Sequence, residues 1–558
     1  MKNNIFGIIT ILCIGFLSSC TKGLLDKEPL DKYSDATVWN DPNLAEAFIN
    51  DQYKVLPNLQ WYDKVRGITL SSISDETIHE YGYDGINDFN KGSLSPSIMT
   101  GFDTWQFDYG FIGNLNFALE KIDEVPAKTD SETDLIKRLS GEIYFLRAYC
   151  YADLLKRYGG VPLISKTFEL TSDFNVQRST YDECVTFVVT DLDMAASLLP
   201  ETYTDKSLGR ATKGAAMALK ARVLLYAASP LWNANNNISK WQAAATAAKA
   251  VIDMPIYKLY DGLKYEKIFT ENWNSEVILA RTTDAKNIWS AIELCEGPNL
   301  GINPSGDYGG WNTNSPSQNI VDDFEMSNGL AITHPGSGYD PQNPYVNRDP
   351  RFYADINYDG ALWYGGTIEF FDGGRNSRTN PQGVGDCSQT SYTMRKFLDT
   401  DYNYWFDPVG NGAGQAWIVI RLSEMYLNYA EASYYAGNET EARWAVNALR
   451  SRPSVNMPNV TETGTALIDK IRNERTIELC FEGHRVFDIR RWKIAEKIYP
   501  GGIMKFQGMN IKKDPVTNVK TYTVKDVEDR IFDFSKHYLF PIPKYELDKV
   551  NLVQNPGY

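Results

Sequence analysis

Apolar side chains recur at three- and four-residue steps through two long stretches, residues 40–253 and 415–497, while the chain between them almost lacks that spacing. This contrast restricts the fold most, because a 3.6-residue period lines apolar groups along one helix face that must be covered by something else. In the first stretch Ala215, Leu219, Val223 and Tyr226 share such a face with Arg222 beside them. Pro230 and Asn235–Asn237 interrupt it, and Trp241, Ala244, Ala248, Val251 and Ile252 resume the period. An antiparallel helix pair is expected. The same grammar returns over Ile420–Arg450, where Leu422, Met425, Tyr426, Tyr429 and Ala430 precede a break at Gly437-Asn438 and a second run of Ala442, Ala445, Ala448 and Leu449.

Small alanines on facing helices allow close approach, and such pairs look like tetratricopeptide units, although no strict repeat emerges. Residues 255–414 are rich in Gly, Pro, Asn, Asp, Trp and Tyr, so loops and short hairpins are expected there. Phe352, Ala354, Ile356 and Tyr358 alternate as a strand does, with Asp359-Gly360 as its turn. The expected fold is mainly α: tetratricopeptide-like helix pairs carrying a large loop-rich insertion. No Gly/Ser-rich or Pro-rich linker divides the chain.

The N-terminus reads as a lipoprotein leader. Lys2 precedes a 13-residue apolar run, Ile5–Leu17, and then Leu17-Ser18-Ser19-Cys20. That run is shorter than the roughly 20 residues a membrane span needs. Cleavage before Cys20 would leave a thiol to carry acyl chains. The organisation expected is residues 1–19 signal peptide, 20–40 lipidated tether, 41–254 first helical block, 255–414 ligand-binding loop segment, and 415–558 second helical block with the terminus.

With 56 basic against 71 acidic side chains, the net charge is −15 and no Lys/Arg stripe is present, so nucleic acid is excluded as a partner. The cysteines beyond Cys20, namely Cys150, Cys184, Cys295, Cys387 and Cys480, are widely spaced with no CxxC, and buried free thiols are expected. His79, His334, His484 and His537 lack HExxH spacing, and no GxSxG elbow occurs. Gly410-Asn411-Gly412-Ala413-Gly414 lacks the third glycine of a dinucleotide loop and reads as a turn before a helix from Gln415. Asp355–Gly360 opens like a calcium loop, but Gly366 stands at its twelfth position. No catalytic residue, metal ligand or cofactor is assigned. The helix expected around Arg472–Trp492 is dense in charge, with Arg475, Glu478 and Glu482 at pairing distances, and is read as structural bracing.

Aromatics are the positive signal for a site. Trp289, Trp311, Trp363, Tyr364 and Trp405 fall in the loop segment, and Tyr81 and Tyr83 in a loop upstream. Sugar rings stack their C–H faces on such rings while polar side chains take the hydroxyls. The expected ligand-binding residues are Trp289, Trp311, Tyr83, Tyr81, Asp75 and Trp363.

Several segments together resemble the SusD/RagB nutrient-binding lipoproteins of Bacteroidota. They are Gly141–Tyr149 with Arg157-Tyr158-Gly159-Gly160-Val161-Pro162, Gly209–Ala216, Arg421–Leu427 with Tyr429–Ala432, Glu474–Arg485 with Arg491-Trp492-Lys493, Pro541-Ile542-Pro543 and the closing Gln554–Tyr558. The resemblance implies a lipid-anchored protein of the outer membrane, facing the exterior. It would capture oligo- or polysaccharide for a SusC-like TonB-dependent transporter, without catalysis. A glycoside hydrolase, or capture of another nutrient such as peptide, is the alternative.

Overall fold

The computed structural model describes residues 35–58, 68–82, 85–99, 101–168, 171, 174–282, 292–299, 310–363, 366–381, 385–401 and 414–558. Residues 1–34, with the expected leader and Cys20, and Tyr364, Trp405 and Gly410–Ala413 lie outside the described residues. Among these, the helices of eleven or more residues are α1 (Pro42–Gln52), α2 (Trp105–Lys121), α3 (Asp130–Tyr158), α4 (Tyr181–Leu198), α5 (Lys213–Ala228), α6 (Ile238–Ile252), α7 (Leu422–Tyr435), α8 (Glu439–Arg450) and α9 (Gly464–Glu478). Strands of three or more residues are β1 (Thr77–His79), β2 (Val277–Arg281), β3 (Asn314–Pro316), β4 (Trp417–Arg421), β5 (Ile503–Lys513) and β6 (Lys520–Ile531). The chain is mainly helical, and none of its described helices is long and apolar enough to cross a membrane.

Local chemistry starts these helices where they start. Thr129 with Glu132, and Thr180 with Glu183, form reciprocal capping boxes that satisfy the first free amides of α3 and α4. Thr212 caps α5 by accepting from the Ala215 amide at 3.1 Å. Helix α3 stops at Gly159, whose φ of +77° favours glycine. A Cβ on the next residue, Gly160, would lie 2.2 Å from the Ser179 carbonyl, so the Gly159-Gly160 pair is dictated by geometry.

Helices pack as consecutive pairs, α3 on α4, α5 on α6, and α7 on α8, with α7 also lying against α6. The expected faces are buried: Ala215, Leu219, Val223 and Tyr226 on α5, and Trp241, Ala244, Ala248 and Val251 on α6, with Ile252 partly exposed. Trp241 of α6 stacks on Tyr435 of α7 with ring centres 4.4 Å apart. One apolar cluster continues from Ile49 through Leu154, Phe352, Tyr392 and Met425 to Phe540. The loop-rich segment therefore shares its core with the helices on either side.

Four local expectations are corrected. Residues 417–421 form β4, antiparallel to β2, and the helix begins only at Leu422. The aromatic and β-branched run Trp417-Ile418-Val419-Ile420 favours the strand. Pro350–Asp355 is helical, because Asp349 caps it by accepting from the Arg351 amide at 2.9 Å and Pro350 fits its first turn. Only Ile356–Asn357 is extended, paired with Thr393–Met394. The charged segment around Arg472–Trp492 is two helices, α9 and Arg485–Arg491, parted by a turn in which Phe481 has φ +63°. The second block also contains a long hairpin, β5 with β6, carrying one register shift between Asp526 and Glu528.

Buried charge locks the loop segment to α7–α9. Glu478 accepts from Arg351 at 2.9 Å, Arg421 at 2.7 Å and Arg452 at 2.5 Å. Arg421 also reaches Glu482 and Glu276, and Arg351 reaches Asp349 and Glu474. The sequence neighbour expected to pair with Glu478, Arg475, instead holds Asp488 and Asn428. Burial alone would raise the Glu478 carboxyl, but Arg452, Arg421 and Arg351 together hold it well below the usual carboxylate range. Phe269 lies under the Arg421 and Lys396 cations, 5.4 and 4.7 Å from ring centre to charge, and offers both its π face. The five cysteines in the described residues are buried and unpaired by disulfides.

Candidate ligand-binding site

Ahead of β1, two consecutive acids tie the chain to the C-terminal helices. Asp75 receives both arms of the Arg485 guanidinium, at 2.8 and 2.6 Å, and Glu76 accepts from the Phe481 amide at 3.1 Å. Burial, reinforced by Asp75, pushes the Glu76 carboxyl up to about 8. β1 then pairs antiparallel with β3, Ile78 opposite Ser315 and His79 opposite Asn314. The pairing continues as the Glu80 amide donates to the Thr313 carbonyl at 2.9 Å. This two-stranded ribbon brings Tyr81 beside Trp311, although 230 residues separate them in sequence.

The Tyr81 hydroxyl hydrogen is directed at both Asp386 Oδ1, at 2.5 Å, and the Trp311 carbonyl, at 3.0 Å. Both rings are half-buried. The side chain of Glu80 is only 3% exposed, and its oxygens accept from Ser315 Oγ at 2.7 Å, the Gln389 amide at 2.9 Å and Arg378 Nη2 at 2.8 Å. Burial raises its pKa and those hydrogen bonds oppose the rise. Arg378 is fixed from behind by donating Nε to the Cys387 carbonyl at 3.0 Å, yet its side chain is 53% exposed. Beneath the ribbon, Glu296 accepts from the Asn314 backbone and side-chain amides at 3.0 and 2.8 Å. Burial pushes Glu296 up to about 7, and Glu293, one helical turn earlier, likewise to about 7.

The result is a strand ribbon at whose end two half-buried aromatic residues are joined through the Tyr81 hydroxyl and the Trp311 main-chain carbonyl, with the exposed Arg378 guanidinium held by Glu80. Half-buried rings can stack a flat apolar face, and the guanidinium can donate hydrogen bonds. Glu80 is surrounded by three donors, an arrangement suited to orienting Arg378 and not to delivering a proton to a substrate.

The model of the SusD family matches residues 272–558, and a SusD-like model described as starch-binding and associating with the outer membrane matches residues 29–225. The chain belongs to the SusD family. A SusD-like protein of Bacteroides fragilis, known from its crystal structure, is 30% identical to this SusD-family chain, covers 95% of it and 100% of its own length, and superposes with a TM-score of 0.79. A structure named as a laminarin-binding SusD-like protein is 26% identical, covers 93% and 98% of the two chains, and has a TM-score of 0.65. SusD-like protein P38 of Formosa agariphila is 25% identical over 523 residues, 89% of this chain and 93% of its own.

Of the six residues expected to bind ligand, Tyr81 and Trp311 are neighbours, the Tyr81 hydroxyl donating to the Trp311 main-chain carbonyl. Tyr83 and Trp289 lie outside the described residues. Asp75 is a brace, occupied by Arg485 beneath the ribbon. Trp363 is 3% exposed, part of the main core, with the Arg395 guanidinium 5.6 Å from its ring centre. Sequence reading passed over Glu80, Asp386 and Arg378. The only cue for Arg378 was a cation standing among turn residues in Gly374-Arg375-Asn376-Ser377-Arg378-Thr379-Asn380.

Proposed function

We propose that this protein captures oligo- or polysaccharide on its surface and passes it to a TonB-dependent outer-membrane transporter, with the lipid on Cys20 as its anchor and no bond made or broken. The observation that supports this reading most is the Tyr81–Trp311 pair at the ribbon's end, with the exposed Arg378 guanidinium held by Glu80. Rings offer a saccharide a stacking surface, and the exposed guanidinium donates to hydroxyls. The laminarin-binding and starch-binding descriptions of similar proteins support a glucan as the first ligand to try. Affinity electrophoresis through gels containing laminarin or starch tests it: retarded migration without release of reducing sugar is expected. Release of reducing ends would mark a hydrolase, and unretarded migration in every polysaccharide tried would defeat the glycan reading.

A further inference from the structure

Arg490 and Arg491 are consecutive and both buried, yet among the described residues only Arg491 has counter-charges. It holds Glu431 and Asp488 at 2.7 Å each, and against the pull of burial they keep its pKa above the usual value. Arg490 instead donates Nε to the His537 carbonyl at 3.0 Å and Nη1 to the Val486 carbonyl at 2.7 Å. Among the described residues its Nη2 meets no acceptor and no carboxylate pairs with it. Phe89, Phe532 and Phe540 surround the guanidinium, their ring centres 5.1, 5.2 and 5.5 Å from its central carbon. The π faces offset part of the charge, and burial still lowers Arg490 to about 10. A buried cation in this condition is costly unless an anion joins it.

Beside Arg490 lies a small cavity of about 10 Å³, lined also by Asn90, Tyr499, Arg530, Phe532 and His537 and by no carboxylate. That space suffices for one water molecule or one monatomic ion. His537 brings a donor to it. The Nδ1 atom accepts from the Asp533 amide at 2.9 Å, so in the neutral ring the hydrogen is on Nε2. Burial, with Arg490 beside it, lowers His537 to about 4 and keeps it neutral at pH 7. The Nε2 atom is buried and has no hydrogen-bond partner among the described residues. Arg530 adds a second buried cation, and its one carboxylate partner, Glu528 at 2.7 Å, is 25% exposed and so partly screened by solvent. Asp533, the acid nearest the imidazole, accepts from Ser535 and is 45% exposed.

We propose that this cavity binds a single halide ion, chloride in ordinary salt, held by Arg490 and the Nε2–H of His537 with Arg530 adding charge. A water molecule fits the same space but carries two hydrogens of its own, and the unspent groups here are donors under positive charge. A halide accepts from all of them. Sulfate or a carboxylate is too large for the space. Arg530 carries the effect outward, because its Nη1 and Nη2 hold the Ser74 and Thr77 carbonyls at the start of β1. An anion beside it steadies the strand that leads to Tyr81.

The test uses the full chain with bromide and chloride as probes. In crystals grown with sodium bromide, an anomalous-diffraction peak is expected in the cavity, within hydrogen-bonding reach of Arg490 Nη2 and His537 Nε2. In solution, chloride replaces gluconate at constant ionic strength, so that screening stays fixed. The unfolding temperature should rise by at least about 2 °C and then saturate, as for any ion bound only by the folded state. Amide exchange in β1 should slow with it, at least threefold. Water in the cavity and no bromide peak would overturn the proposal. A peak without the saturable chloride effects would mark an adventitious ion only, and overturns it as well.

Discussion

Glu478 lies among three guanidiniums in the body of the protein, whereas Glu296, beneath the β1–β3 ribbon, accepts from the two amides of Asn314 and, among the described residues, faces no cation. Both carboxyls are fully buried, and burial pushes both toward the neutral form. Full cationic compensation at the base holds Glu478 well below the usual range, with Glu474 and Glu482 lowered beside it. Dipoles alone leave Glu296 at about 7. The base is therefore a charged lock, and the ribbon rests on a support that titrates near neutrality. Asp355 stands at the edge of the lock with Lys396 3.7 Å away, and with that weaker compensation it too is pushed up to about 7.

The sharpest way to break this contrast is at the base. Glu478→Ala strands three buried guanidiniums and is expected to cost about 3–5 kcal/mol in chemical denaturation. An unchanged unfolding midpoint would show that the lock is not what ties the loop segment to α7–α9. Next in size is Asp75→Asn, which keeps the shape but removes the charge facing Arg485. A loss of about 1.5–3 kcal/mol is expected, together with faster hydrogen exchange in β1. Exchange confined to the Arg485 helix would place the brace elsewhere.

The two regions also differ in the sign of their pH response. Lowered carboxyls such as Glu478 contribute stability that is present above their unfolded value, near 4.5, and lost as pH falls through the lower folded value. Raised ones, Glu76, Glu293 and Glu296, do the reverse: their contribution is full below about 4.5 and disappears as pH rises through 7 to 8. Between pH 5 and 8 these raised carboxyls, with Asp355 and Asp323, lower stability as pH rises, while His484 and His537, kept neutral by burial, act in the opposite sense up to about 6.5. Glu296→Gln, which cannot ionise, should remove about 1–2 kcal/mol of that decline. Parallel pH profiles for the two proteins would show that Glu296 does not titrate in this range.

Much of the helical body was legible in the sequence, because each helix carries its own evidence within a few turns. The apolar faces of α5 and α6 needed no distant partner to be recognised, and the capping boxes at Thr129 and Thr180, which the sequence reading passed over, are equally local. Ion pairing was not legible: the cations of Glu478 come from positions 351, 421 and 452, while the nearby Arg475 turns to Asp488. Nothing local separates Trp311 from Trp363 either, since one sits at the end of a ribbon and the other under the core. The β5–β6 hairpin escaped notice because Lys520–Ile531 carries charge on its outward face, which masks the alternation.

Calorimetric titration of laminarin and starch oligosaccharides into the wild-type protein and Trp311→Ala addresses the central claim directly, that a rigid ion-locked body offers aromatic rings to a sugar. Trp311 is half-buried and outside the charged lock, so the variant should keep its unfolding midpoint within about 1 kcal/mol of wild type. Its affinity for whichever saccharide binds should fall at least tenfold, about 1.4 kcal/mol. A saccharide that binds wild type and Trp311→Ala equally well would contradict the claim and place the sugar away from the ribbon's end.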